Sequence, residues 1–347
     1  MPSFLSLRQL GWRAQFSQQL SIADLERYTP ARVANVQRSG VIVWTEARES
    51  HVLAGTLQGL TLAVGDWVLF DPESGRIERL LERASLLTRL AAGTEQRVQP
   101  IAANIDTLFV VTSCNDDFNA SRLERYLAIA HDARIDPVIV LTKRDLCADV
   151  DTLLGKLEHV APKVPSLAVN ATDASSANAL LDWLTPAATA AFVGSSGVGK
   201  STLVNALTGS DQTTAGIRGA DGKGRHTTTS RQMIAMPGGA WLIDTPGMRE
   251  LKVGAVQEGI RATFDEIEAL ASRCKFRDCR HQGEQGCAVA AAVEAGELSE
   301  RRLANYLKLQ REAKHATQTV FERREKDRKF GRMYDAVKER VKRERGE

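Results

Sequence analysis

The sequence predicts an α/β chain of several parts: a small β-barrel, a doubly wound parallel sheet, and a helical segment built around a metal site. Three observations predict it. Residues 31–90 hold five short runs of alternating polarity, separated by Gly, Asp and Ser turns. Residues 98–254 hold apolar strands that run into polar or glycine-rich loops and then helical stretches. Residues 274–287 crowd three cysteines and a histidine ahead of a charged helical sequence. A length of 347 residues suits two or three domains, and the expected divisions are 1–30, 31–97, 98–254 and 255–347.

The first thirty residues read as a helical lead-in through "SIADLERY", with no role legible in them. No basic head precedes an apolar stretch, so no signal peptide is expected. No apolar run approaches 18 residues, so no membrane span is expected either. The net charge of +3 is too small to argue for a nucleic-acid partner by itself. The runs "ARVANV", "GVIVWTEA", "HVLAGTL", "GDWVLFD" and "GRIERLLE" are the five barrel strands. Five strands fit an OB-like barrel, a fold that often holds RNA on one face, and equally fit another small barrel.

The apolar strand "PVIVL" ends in "TKRD" (Thr142, Lys143, Arg144 and Asp145). A carboxylate at Asp145 can accept two hydrogen bonds from the N1–H and N2–H₂ edge of guanine, which adenine cannot offer. The stem of Lys143 can lie against the base. A second short strand, in "SLAVNAT", delivers Asn170 and Ala171 to close over the guanine O6. Thr142 stands where a longer asparagine amide could bridge to guanine N7.

"TAAFV" then reads as a buried strand and "STLVNAL" as a helix, with a glycine loop between them. Gly194, Gly199, Lys200 and Ser201 fit G-x-x-x-x-G-K-[ST], with Gly197 as an extra glycine inside the turn. Such a loop, here completed by Ser195, Ser196, Val198 and Thr202, curls its N–H groups around phosphate oxygens. Lys200 can meet the β- and γ-phosphates, and the Ser201 hydroxyl can ligate Mg²⁺. Downstream, "WLIDTPG" is a strand ending in Asp244, suited to the magnesium water shell, followed by Gly247, whose N–H can meet the γ-phosphate. Between them, "GRHTTT" offers Thr228 or Thr229 as a further magnesium ligand.

All the parts of a GTPase are therefore present in rotated order, base loops before phosphate loop. A doubly wound domain can be cut and rejoined this way when its termini lie close, because strand neighbours are preserved. The position after Gly247 is Met248 rather than a glutamine, and a thioether cannot align an attacking water. Intrinsic hydrolysis is thus expected to be slow, with His226 of "GRHTTT" as the candidate catalytic group for positioning the water. An ATPase reading requires discounting Asp145.

Cys274, Cys279, His281 and Cys287 form C-x₄-C-x-H-x₅-C, a donor set for one closed tetrahedral Zn²⁺ site. Cys114 and Cys147 lie beside apolar strands and are expected to be buried thiols. "LSERRLANYLKLQREAKHA" reads as an amphipathic helix. Residues 322–347 hold eleven Lys/Arg against seven Asp/Glu, a solvated helix face or a surface for rRNA phosphates.

The segments "IAANIDTLFVVTS", "TKRD", "GSSGVGKST", "GRHTTT" and "IDTPGMRE" together resemble the small-ribosomal-subunit biogenesis GTPase family of RsgA/YjeQ type, over roughly residues 30–309. The resemblance implies an OB barrel and a circularly permuted GTPase domain. It also implies a structural zinc on Cys274, Cys279, His281 and Cys287. It further implies a cytoplasmic GTP-hydrolysing assembly factor whose partners are GTP/GDP, the small ribosomal subunit and its rRNA, and a monomer is expected. The alternative reading is a permuted GTPase switch acting on a non-ribosomal protein partner. The barrel before and the basic helices after the GTPase segment favour the first.

Overall fold

The computed structural model describes residues 5–57, 59–90, 98–115, 118–208, 231–244 and 256–317. It opens with two short helices, α1 (Ala14–Ser17) and α2 (Ile22–Arg27). A capping box between Ser21 and Asp24 fixes the start of α2 by satisfying two otherwise free N–H groups.

Five antiparallel strands follow: β1 (Thr29–Gln37), β2 (Gly40–Trp44), β3 (Glu49–Leu53), β4 (Trp67–Asp71) and β5 (Arg76–Leu80). Their spatial order is β3-β2-β1-β4-β5, the arrangement of an OB-like barrel. β1 is the hub. It pairs with β4 through Thr29–Arg32 and with β2 through Arg32–Gln37, with a bulge between Val33 and Asn35 that bends it from one partner toward the other. Inward-facing Val33, Val43, Val52, Val68, Phe70 and Ile77 form the barrel core. A hairpin of β6 (Leu86–Leu90) and β7 (Val98–Ala103) leads out of it.

The second sheet region contains β8 (Thr107–Ser113), β9 (Asp136–Thr142), β10 (Ser166–Ala168), β11 (Thr189–Val193), β12 (Arg231–Ala235) and β13 (Trp241–Asp244). The order β10-β9-β8-β11-β13 is parallel throughout, and β12 runs antiparallel to β13. Every residue of β8 and β11 is buried. That is why these strands read as continuous apolar runs: helices cover both faces of a parallel sheet. Helices α3 (Ala120–Asp132), α4 (Val150–Val160), α5 (Ala174–Ala177) and α6 (Lys200–Thr208) connect the strands. Asn119 and Asp149 cap α3 and α4 by accepting from the Arg122 and Thr152 N–H groups. Alternate residues divide the two cores: Leu108, Val110, Ile139 and Leu141 pack with Leu123 and Leu127, while Phe109, Val111, Val138 and Val140 pack with Leu180 and Leu203.

The two sheet regions are one. β1 pairs antiparallel with β12, Asn35 opposite Gln232 and Val36 opposite Arg231, so eleven strands form a single sheet. The lead-in, opaque in the sequence, seals this junction. Phe16 and Leu10 are buried, Trp12 meets Trp67 edge-on at 4.7 Å, and the Trp241 indole N–H donates to the Gln9 carbonyl at 2.8 Å. Buried Arg32 donates to the Leu10 carbonyl and, at 2.7 Å, to the Thr189 hydroxyl. Burial pulls its guanidinium down to about 10.

Helices α7 (Gln257–Thr263), α8 (Asp265–Ala271), α9 (Ala288–Glu294) and α10 (Glu300–Thr317) complete the described chain. They are held to α3 by a fully buried carboxylate. Glu124 accepts from both Arg301 amino groups at 3.1 and 2.9 Å, from Arg302 at 2.9 Å, and from Asn305. Arg302 also donates to the Val160 carbonyl at 2.8 Å and the Thr263 carbonyl at 2.9 Å, and lies 4.8 Å from the Phe264 ring centre. Such full pairing is what makes an internal charge tolerable. Of the two remaining thiols, Cys114 is buried and Cys147 is half-buried.

Candidate functional site: a permuted phosphate-loop site and a Cys₃His cluster

From β8 the chain goes on to β9 on one side and from β11 to β12 and β13 on the other, so the order of strand addition reverses between the parallel neighbours β8 and β11. The crevice beyond the carboxyl ends of such strands is where open α/β sheets bind ligands. The loop Gly194–Gly199 lies there, between β11 and α6. Gly194 has φ +144°, and a Cβ on it would lie 2.1 Å from the Val111 carbonyl oxygen, so only glycine lets the loop leave β11 beside β8. Gly199 has φ +94°, where a Cβ would touch Thr142 at 3.6 Å. Ser196 and Gly197 are exposed, Ser195 and Lys200 half-buried, and Val198 buried. The first turn of α6 carries Ser201 half-buried and Thr202 exposed.

The Lys200 ammonium donates to the carbonyls of Gly194, at 2.7 Å, and Ser195. It thus folds back over the loop that a phosphate would fill. Arg122, in the first turn of α3, donates to the Ser195 hydroxyl. That contact was not legible in the sequence, because Arg122 sits on an unremarkable helix face.

The base-side loops sit at the same edge of the sheet. Thr142 is fully buried at the end of β9, and its hydroxyl lies within donor reach of the Val198 carbonyl and of the Thr112 carbonyl, the latter at 3.1 Å. Lys143 adopts the left-handed conformation, φ 58°, which turns the chain sharply after β9. Arg144 and Asp145 are exposed on that turn, and the Arg144 N–H donates to the Val169 carbonyl at 3.3 Å, bringing the β10 loop alongside. In that loop Ala171 is buried, and the Asn170 side-chain oxygen accepts from Thr172 N–H at 3.0 Å. Asp244 ends β13 at the same edge of the sheet, and protein around it raises its carboxyl above the ordinary range. His226, Thr228, Thr229, Gly247 and Met248 lie outside the described residues.

The Cys₃His residues come together in the segment from the end of α8 to the start of α9. Their ligand atoms all lie within 4.8 Å of one another. Cys274 Sγ is 3.9 Å from Cys287 Sγ, and His281 Nδ1 is 3.7 and 3.5 Å from those two sulfurs. A tetrahedral Zn²⁺ with ordinary bond lengths puts sulfurs about 3.8 Å apart and nitrogen about 3.6 Å from sulfur. The donor set therefore fits a zinc ion in number, type and spacing. His281 takes φ 57° to turn inward. Glu284, which sequence reasoning missed, organises the loop by accepting from Gln282 N–H at 2.8 Å and Arg280 N–H at 3.0 Å. These bonds, that from Gln282 foremost, hold its carboxyl down to about 2.

Known proteins resemble this chain over most of its length. The family model described as RsgA GTPase matches residues 80–254. A protein of Vibrio parahaemolyticus named small ribosomal subunit biogenesis GTPase RsgA 2 is 49% identical over 329 residues, 94% of this chain and 91% of that protein. The small ribosomal subunit biogenesis GTPase RsgA of Mesorhizobium japonicum is 46% identical over 317 residues, covering 90% and 91%. Among solved structures, YjeQ from Thermotoga maritima superposes with a TM-score of 0.61 at 28% identity, over 82% of this chain and 98% of that one. YloQ, described as a circularly permuted GTPase, gives 0.61 at 26% identity, over 84% and 96%. With its base-side strand preceding its phosphate loop and relatives matching it nearly end to end, the chain belongs to the RsgA family of circularly permuted GTPases, enzymes that hydrolyse GTP.

Proposed function

We propose that this chain is an assembly factor that binds the small ribosomal subunit and assists its late maturation, using slow GTP hydrolysis accelerated by the subunit. The observation that carries the reading is the site itself. The "TKRD" strand end is tied by Thr142 to the phosphate loop, in a chain 49% identical over 329 residues to a protein named for small-subunit biogenesis.

In this reading Asp145 selects guanine, Lys143 backs the base, and Asn170 with Ala171 closes the base pocket. Loop N–H groups from Gly194 to Ser201 cradle the phosphates, and Lys200 exchanges its two carbonyl partners for β- and γ-phosphate oxygens. Magnesium, when bound with GTP, neutralises charge on the β- and γ-oxygens. Ser201 with Thr228 or Thr229 would hold it, and Asp244 its water shell. His226 orients the attacking water in place of the glutamine that Met248 replaces. One structural Zn²⁺ per chain, on Cys274, Cys279, His281 and Cys287, braces the segment that carries α10. The OB-like barrel and residues 322–347 add rRNA contacts, and the site of action is the cytoplasm.

Co-sedimentation with purified small subunits, with GDP and with a non-hydrolysable GTP analogue, tests the reading. Retention with the analogue and release with GDP is expected. Absence from the subunit fraction with both nucleotides would leave a GTPase acting on another partner.

A further inference from the structure

The crown of the phosphate loop has little around it. Ser196 and Gly197 are exposed, and a Cβ on Gly197, at φ +79°, would meet nothing within 4 Å. Packing therefore does not set the curve of this turn, and a glycine-rich turn left to itself has many conformations open to it. Its base is pinned instead by side chains from three elements. Thr142, at the end of β9, bonds to the Val198 carbonyl, and Lys200, at the start of α6, bonds to the carbonyls of Gly194 and Ser195. Arg122, in the first turn of α3, donates to the Ser195 hydroxyl.

Topology explains how a residue 73 positions earlier in the chain reaches the loop. β8 and β11 are parallel neighbours, with Val110 beside Val193, so the segments that leave their carboxyl ends emerge side by side. One leads to α3 and the other is the phosphate loop. α3 is a firm base for the contact. The Asn119 side chain accepts from the Arg122 N–H at 2.9 Å, Leu123 is buried, and Glu124 is bound by Arg301, Arg302 and Asn305. Arg122 itself is half-buried, where a hydrogen bond from a guanidinium is screened less than at the surface.

Lys200 and Arg122 hold Ser195 by different atoms. The lysine binds its carbonyl, and when the proposed site fills it gives that carbonyl up for phosphate oxygens. The arginine binds the hydroxyl, a contact that a phosphate on the loop N–H groups does not displace. Ser195 is thus retained by α3 at the step where α6 releases it.

We infer that Arg122 is a positioning residue of the phosphate site: acting through Ser195, it holds the loop in the curve that a diphosphate fills. In this role it touches neither the base nor the attacking water, so it raises affinity for GDP and GTP alike and leaves base choice to Asp145. The inference rests on the reading of residues 194–201 as the phosphate loop.

Titration of the full chain with labelled GDP, and with a labelled non-hydrolysable GTP analogue, tests it in a double-mutant cycle. Arg122→Ala and Ser195→Ala should each weaken both nucleotides about tenfold. The double variant should be no weaker than either single one, because either change removes the same interaction. Arg122→Lys should recover part of the loss, since an ammonium can donate but lacks the planar fork. In steady-state hydrolysis the loss should fall mainly on KM, which reports affinity when chemistry is slow. Should Arg122→Ala fail to fold, Arg122→Lys with Ser195→Ala gives the same cycle.

Losses that add in the double variant would overturn the inference, because Arg122 would then act apart from Ser195. A loss confined to the GTP analogue would also overturn it, by placing the guanidinium on the γ-phosphate. Lys200→Ala separates the inference from its basis. Full nucleotide binding in that variant would sink the loop reading itself, whereas binding lost there but intact in Arg122→Ala would sink only the role of Arg122.

Discussion

The Thr142 hydroxyl bonds to the Val198 carbonyl, joining the end of β9 to the phosphate loop across 56 residues of chain. In one contact the half of the domain carrying the base loops is fastened to the half that carries the phosphate site. Thr142 is fully buried, so replacing its hydroxyl by a methyl leaves the Val198 carbonyl without that donor. Thr142→Val should cost about 1–3 kcal/mol of stability and weaken GTP and GDP alike, whereas Thr142→Ser should retain most of both. Urea unfolding and nucleotide titration measure these effects.

Asp145 stands exposed on the turn that follows β9, with no protein partner needed to hold its carboxylate in water. Asp145→Ala should therefore leave stability within about 0.5 kcal/mol of wild type while erasing the preference for GTP over ATP. Displacement of a labelled guanine nucleotide by each competitor reads the preference directly. Equal displacement by ATP and GTP in the wild type would remove Asp145 from base recognition.

Glu124 is the buried centre of the junction between α3 and α10, surrounded by Arg301, Arg302 and Asn305. Glu124→Ala should destabilise the chain by about 3–5 kcal/mol, because Arg302 is then left buried with part of its pairing lost. Arg301 is 43% exposed at its side chain, so Arg301→Ala should cost only about 0–1 kcal/mol. Comparable losses in both variants would mean that the carboxylate is not the centre of the junction.

Much of this molecule is legible in its sequence, for physical reasons that particular residues illustrate. "TAAFV" is buried on both faces as β11, and in the next loop Gly194 is demanded by its close approach to the Val111 carbonyl and Gly199 by its φ of +94°. The cysteine and histidine spacing announces a metal because few other uses bring four such side chains together. Long-range pairing by ordinary residues is what stayed hidden. Nothing local in "RQMIA" signals that β12 pairs with barrel strand β1, and nothing in "LRQLGWRAQF" signals a plug between two sheet regions. Glu124 did leave a trace: it lies beside Leu123 and Leu127 on the apolar side of α3, where an unpaired carboxylate would be costly.

The Cys₃His cluster should hold about one Zn²⁺ per chain, its binding coupled to folding of the segment after Arg273. Cys279→Ala should release the metal and loosen α9 and α10, raising their amide exchange, while GTP binding at the carboxyl edge of the sheet stays close to wild type. Metal analysis and hydrogen exchange report the two effects. Wild-type protein free of zinc would refute the assignment.

Hydrolysis should be slow in the chain alone and faster on the small subunit, and single-turnover hydrolysis with and without purified subunits measures both rates. Wild type should show a low basal rate that rises at least about tenfold with subunits, a modest share of the acceleration that partner proteins give other GTPases. His226→Ala should bind GTP normally and lose most of that rise, whereas Lys200→Ala should lose nucleotide binding itself. A wild-type rate unchanged by subunits would contradict the account.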